Sequence, residues 1–456
     1  MKIDANNVED IIGLSFMQEA MLYDYIVNDG QDQYFEQIHI KLKGEVSLTL
    51  FKKAWQYVMD CNAALRTIFR WEGLKSPIQI ILKENEVAIT YHDFAEPRDN
   101  FKNDVIEQIK YEELKKGFDL ENVPFRITLL REEYNLFHMI INNHHILYDG
   151  WSNGILLNEF LKAYIYLSGN KVLEAVHKTS YKEFIKLIRN RDITENFWKE
   201  YLNGYKLKPV AKRKTGNING NCNVGAYGSK ICVQIADKLN SVVKEKEVTI
   251  ASIFYTAWGI CLQKYSYSED VLIGTVVSGR NLHIKEVDRI IGLFINTIPL
   301  RIKLQSRDTV EVLLSRINRD LEARSDFEQT PLSEIKKYVL CNPNEDIFNS
   351  IMVIENYPVD MELLLKNNTL QVIEFDNNKM KTNFDITIEI RLFEEYEVCI
   401  KYKQEIFEKN EIEKMMRDFL KTLEDLADNT ECYIESLIYS NNESENFTST
   451  IDFDFE

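Results

Sequence analysis

A chain of 456 residues is too long for one ordinary hydrophobic core, which sets an expectation of two or three domains. With 45% hydrophobic, 28% charged and 11% aromatic residues it is a globular protein, and disordered and fibrous classes are excluded. A net charge of −17 excludes the concentrated basic surface that a nucleic-acid partner needs. The seven cysteines are scattered and form no C-x-x-C pair, the pattern of reduced thiols. Met1-Lys2-Ile3-Asp4 opens without an apolar leader, and no uncharged apolar run reaches the length of a membrane span. The chain is therefore expected in the cytoplasm, with no membrane partner and no metal site.

In chain order, residues 14–26 predict a helix capped by Ser15, with Gln18 at the capping-box spacing. Residues 35–42 alternate as a half-buried strand, and residues 48–59 return to helical period through Leu50, Phe51, Ala54, Trp55 and Val58. Residues 62–69 form a strand-like run that carries Arg66, a buried arginine expected to serve as a hydrogen-bonding hub. Residues 125–130 and 136–142 predict two strands joined at residues 132–135. Ser168-Gly169-Asn170 breaks the following helix and marks a domain boundary near 175, with a second half from about Tyr181. Residues 203–229, rich in Asn, Gly and Lys and including Lys212-Arg213-Lys214, predict a long exposed excursion. A helix over 252–266 and a buried strand over 270–277 follow, then ordered backbone over 290–301. Further strands are expected over 348–355 and 385–389, and a helix over 411–426 with Asn410 as its cap.

The chain centres on Asn142-Asn143-His144-His145-Ile146-Leu147-Tyr148-Asp149-Gly150-Trp151-Ser152. Two of its seven histidines stand side by side here, on a turn between a strand and a helix whose apolar face runs through Ile155, Leu156, Phe160, Leu161 and Tyr164. A helix start offers free backbone N–H groups and a partial positive end, and Gly150 allows a substrate to pass close to the backbone.

These pieces resemble a condensation domain of a nonribosomal peptide synthetase, over nearly the whole length. His144-His145-x-x-x-Asp149-Gly150 matches the family's central motif. Residues 14–19, Leu65-Arg66-Thr67-Ile68-Phe69, residues 291–297 and Pro299-Leu300-Arg301 match others in the family's order. The resemblance implies an α/β fold with mixed sheets, arranged as two chloramphenicol-acetyltransferase-like lobes in a V-shaped pseudo-dimer. Residues 1–175 would be the N-terminal lobe, residues 176–438 the C-terminal lobe, and residues 439–456 an acidic tail. It further implies amide-bond formation between a donor acyl or peptidyl thioester and the amine of an acceptor aminoacyl thioester. Donor and acceptor carrier domains would bring these on phosphopantetheine, with no cofactor bound permanently.

By the same resemblance His145 acts on the attacking amine as base or positioner, His144 is structural beside it, and Asp149 and Gly150 complete the motif. Arg280, in Ser278-Gly279-Arg280-Asn281, matches the arginine that pairs with Asp149, while Trp151, Ser152 and Asn356 are expected at the cleft. Met17-Gln18-Glu19 departs from the alanine-glutamine pattern of many members that join two L-residues, which leaves the donor's stereochemistry open. Heterocyclising relatives carry aspartates where His144 and His145 stand, which discounts cyclisation. No adenylation or carrier segment is evident, so the resemblance implies either an excised domain or a free-standing one. The same residues also fit an acyltransferase with a soluble amine or alcohol acceptor, or a non-catalytic scaffold that recruits carriers. In the tail, Ile451, Phe453 and Phe455 alternate with carboxylates. This fits either a solvated linker or a strand by which residues 440–456 dock onto a downstream synthetase subunit.

Overall fold

The computed structural model describes residues 4–28, 34–95, 103–174, 176, 178–190, 195–206, 224–305, 307–339, 346–356, 370–376, 384–392 and 395–439. Lys212-Arg213-Lys214 and the tail over 440–456 lie outside them. The described helices are α1 (Phe16–Val27), α2 (Leu48–Cys61), α3 (Asn103–Lys116), α4 (Gly150–Ser168), α5 (Lys182–Arg189) and α6 (Glu195–Tyr201). They continue as α7 (Val233–Lys246), α8 (Ile250–Ser266), α9 (Val310–Arg324), α10 (Leu332–Val339), α11 (Lys409–Asp428) and α12 (Ile434–Tyr439). The described strands are β1 (Val8–Gly13), β2 (Phe35–Gly44), β3 (Thr67–Arg70), β4 (Ile78–Leu82), β5 (Ala88–Asp93), β6 (Phe125–Glu133) and β7 (Leu136–His144). After them come β8 (Val224–Lys230), β9 (Asp270–Val277), β10 (Asn296–Lys303), β11 (Ser350–Glu355), β12 (Leu370–Asp376), β13 (Ile386–Leu392) and β14 (Tyr396–Lys403).

One compact unit takes its described residues from Met1–Arg191, Arg280–Ile295 and Tyr357–Lys381. Its main sheet has the order β12-β2-β7-β6-β5, antiparallel except for the parallel β5–β6 pair. Ile38, Ile40 and Leu42 of β2 and Phe137, Met139 and Ile141 of β7 share one face, as a period of two requires, and pack with α2 and α4. Trp55 of α2 stacks on Phe160 of α4 at 4.6 Å. The opposite face is covered as well, because Gln37 of β2 donates to the Lys110 carbonyl of α3 at 3.1 Å. Strand β2, expected to be half-buried, is therefore buried on both faces over most of its length.

The boundary expected near residue 175 does not divide the compact units. Helix α5 lays Phe184, Ile185 and Ile188 against Ile12, Ile81, Ile290 and Phe294, and Arg189 Nε donates to the Leu14 carbonyl at 3.1 Å. Residues 178–190 thus belong with the N-terminal residues. Two later segments also return to this unit: residues 280–295, with Ile291 and Leu293 in the core, and β12, paired with β2. Pairing and burial across hundreds of residues decide this division, and local composition does not record them. The run over 62–69 also departs from one strand, since residues 63–66 form a 3-10 turn before β3.

The second unit takes its described residues from Asp192–Gly279, Asn296–Asn356 and Thr382–Glu456. Its sheet runs β10-β9-β11-β13-β14-β8, with β11 parallel to both neighbours. Pro299, which has no N–H to give a ladder, sits on the edge strand β10. Helix α8 is apolar all round because sheet and helices enclose it, with Trp258 and Phe419 of α11 edge to face at 5.9 Å. Helix α11 begins two residues earlier than the Asn410 cap implies. Glu408 caps it in a reciprocal box with Glu411. Residues 224–230, expected in an exposed excursion, form β8 on the edge of the sheet.

Candidate functional site

The two histidines fall where strand gives way to turn. His144 ends β7, and Asp149 caps α4 by accepting from the Ser152 N–H at 3.2 Å. His144 is fully buried, its Nδ1 accepts from the Ile146 N–H at 3.0 Å, and its ring meets Tyr25 edge to face at 6.1 Å. An Nδ1 that accepts from an N–H is unprotonated, so neutral His144 carries its proton on Nε2. Burial, and then the adjacent His145, push His144 down to about 3, so it stays neutral at physiological pH.

His145 has the opposite tautomer. Its Nδ1 lies 2.8 Å from the Tyr148 carbonyl, an acceptor only, so the proton sits on Nδ1 and the lone pair on Nε2. Among the described residues Nε2 has no hydrogen-bond partner. The His145 N–H donates to the Tyr34 carbonyl at 2.8 Å, and the residue is 3% exposed. Backbone and ring are thus both fixed, and the unprotonated nitrogen is left to take a proton from a bound group. Gln18 of α1 completes the support, its Nε2 donating to the Ile146 carbonyl at 2.9 Å.

Asp149 lies at the centre of a buried knot. Its Oδ1 accepts from Ser152 Oγ at 2.9 Å and Arg280 Nη2 at 3.0 Å, and its Oδ2 accepts from the Phe294 N–H at 3.0 Å. Arg280 also donates from Nη1 to the carbonyls of Val287 at 2.7 Å and Ile290 at 2.9 Å, and its guanidinium lies 4.1 Å from the Phe294 ring centroid. The knot ties residues 280–295 to the start of α4. Gly292 is part of it: its carbonyl accepts from the Asp149 N–H at 3.1 Å, and a Cβ there would come within 2.4 Å of the Tyr181 ring.

Ser152, expected at the cleft, is fully buried, with its hydroxyl engaged by Asp149, Arg280 and Gly292. Its contacts make it part of the knot, because a side chain with no exposed surface cannot line a cleft. Gly150 is the first residue of α4 and is half-buried; Trp151 is half-buried, its Nε1 donating to the Asp288 carbonyl at 3.2 Å. Arg66 stands apart from the histidine turn. It donates to Glu9 at 2.7 Å and to the carbonyls of Met59 at 3.2 Å, Asp60 at 3.3 Å, Lys83 at 3.2 Å and Leu82. Asn356 follows β11 in the other unit and is exposed.

One site residue escaped the sequence reading. Glu36 of β2 is 2% exposed and pairs in register with Asn143, whose Nδ2 donates to Glu36 Oε2 at 2.8 Å. Its Oε1 lies 3.4 Å from His145 Nδ1. The signal was in the period: Glu36 falls in phase with Ile38, Ile40 and Leu42, a charge on an otherwise apolar strand face.

Among the described residues no three His, Cys, Asp or Glu side chains are grouped to hold a metal ion, and no helix is long and apolar enough to cross a membrane. The family model of the condensation domain matches residues 8–447. Gramicidin S synthase 2 of Brevibacillus brevis is 31% identical over 417 residues, covering 90% of this chain and 9% of the relative. Tyrocidine synthase 2 of Brevibacillus parabrevis is 28% identical over 430 residues, covering 93% of this chain and 12% of the relative. The chain thus spans about a tenth of the length of these relatives. Among solved structures, the condensation domain from Monacolin K polyketide synthase matches with a TM-score of 0.79 at 14% identity, over 94% of this chain and 100% of that one. The first condensation domain of the calcium-dependent antibiotic synthetase matches with a TM-score of 0.75 at 12% identity, over 94% of this chain and 99% of that one. The structural likeness carries the fold, an α/β architecture of mixed sheets in two chloramphenicol-acetyltransferase-like lobes. Taken with the nearly full-length match of the family model, it shows that the chain belongs to the condensation-domain family of the nonribosomal peptide synthetases.

Proposed function

We propose that this chain forms an amide bond between two carrier-bound substrates. The donor is an acyl or peptidyl thioester on the phosphopantetheine arm of one carrier domain, and the acceptor is an aminoacyl thioester on another. The acceptor amine attacks the donor carbonyl, a C–N bond forms, the C–S bond breaks, and the donor arm leaves as a thiol. The amine gives up one proton and the departing thiolate takes one up, so a group that accepts and returns a proton is sufficient.

The observation that carries this reading is the His145 tautomer. With Nδ1–H held by the Tyr148 carbonyl, Nε2 is available to accept from the amine, first as a hydrogen bond and then as a proton. An α-amine titrates near pH 8, so a neutral imidazole is a strong enough base. His144, with its lone pair on the Ile146 N–H, holds the turn, and the Asp149–Arg280 pair fixes the start of α4 beneath it. Gly150 and half-buried Trp151 open α4 directly after the turn.

The test is a carrier-to-carrier assay. A donor carrier loaded with an acyl thioester is mixed with this chain and an aminoacyl carrier, and the product is followed on the acceptor arm. Transfer to the aminoacyl carrier is expected. Equal transfer to free amines or alcohols would replace the carrier-bound acceptor with a soluble one, and no transfer in any arrangement would leave a carrier-recruiting scaffold.

A further inference from the structure

The site holds one charge that amide formation as written leaves without a task. Glu36 is buried on the face of β2 that otherwise carries Ile38, Ile40 and Leu42. Moving a carboxylate out of water is costly unless it is well paired, and the Asn143 amide is a neutral partner. The remaining oxygen, Oε1, lies 3.4 Å from His145 Nδ1, with the Tyr148 carbonyl on the same nitrogen at 2.8 Å. Two acceptors therefore converge on one N–H.

This arrangement discriminates between the two states of the ring. A neutral imidazole presents Glu36 with a dipole; one that has taken a proton at Nε2 presents it with a full positive charge. At this separation and in a buried site, the gain on protonation is much larger than in water. We propose that Glu36 is a positioning residue for His145, holding the Nδ1–H tautomer together with the Tyr148 carbonyl and favouring the protonated ring formed as the amine loses its proton. The inference rests on the reading of His145 as the proton acceptor. Among the described residues two more titratable groups belong to this cluster: His144, from β7, which acts on His145, and Tyr148, from the turn, which meets Glu36. Burial first, then His145, pushes His144 down to about 3; burial first, then the Glu36 charge, raises Tyr148 well above its ordinary range. Both are neutral near pH 7, and Glu36 Oε1 stands 3.4 Å from the ring's Nδ1.

The test uses the full chain with both loaded carriers, in single turnover across pH 5 to 9. Glu36→Gln keeps the shape and an acceptor for Asn143 but removes the charge. The rate at neutral pH should fall by about tenfold or more. The acidic limb of the rate profile should move to lower pH, because the protonated ring loses its partner, while the melting temperature stays at or above the parent's. Glu36→Asp, which keeps the charge, should retain the parent's limb. An unchanged rate and limb in Glu36→Gln overturns the role. His145→Ala, run alongside, separates the two ideas. A parental rate there overturns the base assignment and this inference with it, whereas an inactive His145→Ala beside an unaffected Glu36→Gln overturns Glu36 alone. If Glu36→Gln does not fold, 15N spectra of labelled histidine in the parent chain decide: an Nδ1-protonated His145 at neutral pH is expected, and an Nε2-protonated ring overturns the proposal.

Discussion

His145 and Asp149 lie four positions apart and call for opposite experiments. Replacing His145 by Ala removes the unprotonated Nε2, which has no hydrogen-bond partner among the described residues, so amide formation should fall by about two orders of magnitude or more. The fold should persist, because the loss is one hydrogen bond to the Tyr148 carbonyl. A carrier-to-carrier assay with near-parental turnover would remove His145 from the chemistry. Asp149→Ala and Arg280→Ala act on stability instead. Each strands a charge in a site where the side chains are 0% and 3% exposed, and each should cost about 3–5 kcal/mol, read from denaturant midpoints. Midpoints equal to the parent's in both variants would contradict the pairing.

At the scale of elements, α1 meets the histidine turn through a cap. Ser15 Oγ accepts from the Gln18 N–H, Gln18 Oε1 accepts from the Ser15 N–H at 2.9 Å, and the same Gln18 side chain donates to the Ile146 carbonyl. Ser15→Ala should cost about 1 kcal/mol, with little effect on rate. The β2–β7 pair carries a pH dependence. His138 Nε2 donates to Glu132 at 2.8 Å, so its Nδ1 accepts from His39 Nε2 at 2.8 Å, an arrangement that requires the His138 ring to be neutral. Burial, and then the charge of Lys110, pushes His39 down to about 3; burial lowers His138 against the opposing Glu132. With His144, three histidines therefore bind protons less readily folded than unfolded, where they titrate near pH 6.5. As pH falls below about 6.5 the unfolded chain takes up protons that the folded chain refuses. Stability should drop below there, down to about pH 3 for His39 and His144, by up to about 1.4 kcal/mol per pH unit for each such ring. Denaturant midpoints at pH 7 and pH 5 check this, and His39→Gln should lessen the fall.

For the whole molecule, the decisive fact is that a compact unit is not one stretch of chain. The N-terminal unit takes Arg280, Ile291 and Leu293 from residues 280–295, and β12 covers the edge of β2. A fragment ending at residue 175 keeps the histidine motif but loses the Asp149 partner, the α5 contacts and a strand. It should lack dispersed amide resonances and a cooperative melt, while the full chain shows both. A well-folded fragment would mean that the returning segments contribute little.

What the sequence determined by itself is whatever depends on neighbours a few residues apart. Period, cap and turn chemistry are local, so residues 14–26, 252–266 and 270–277 predict α1, α8 and β9 closely, and the motif stands on the strand-to-helix turn that its flanks imply. Arg66 belongs with these, because an arginine in an apolar run must find acceptors wherever it folds. Tertiary structure alone decided the rest. That β2 has no solvent face depends on α3 covering it, and that Ser152 belongs to a buried knot depends on a segment more than a hundred residues later. Glu36 and His145 meet only because β2 and β7 pair in one register; a slip of one residue would turn Glu36 to the other face of the sheet.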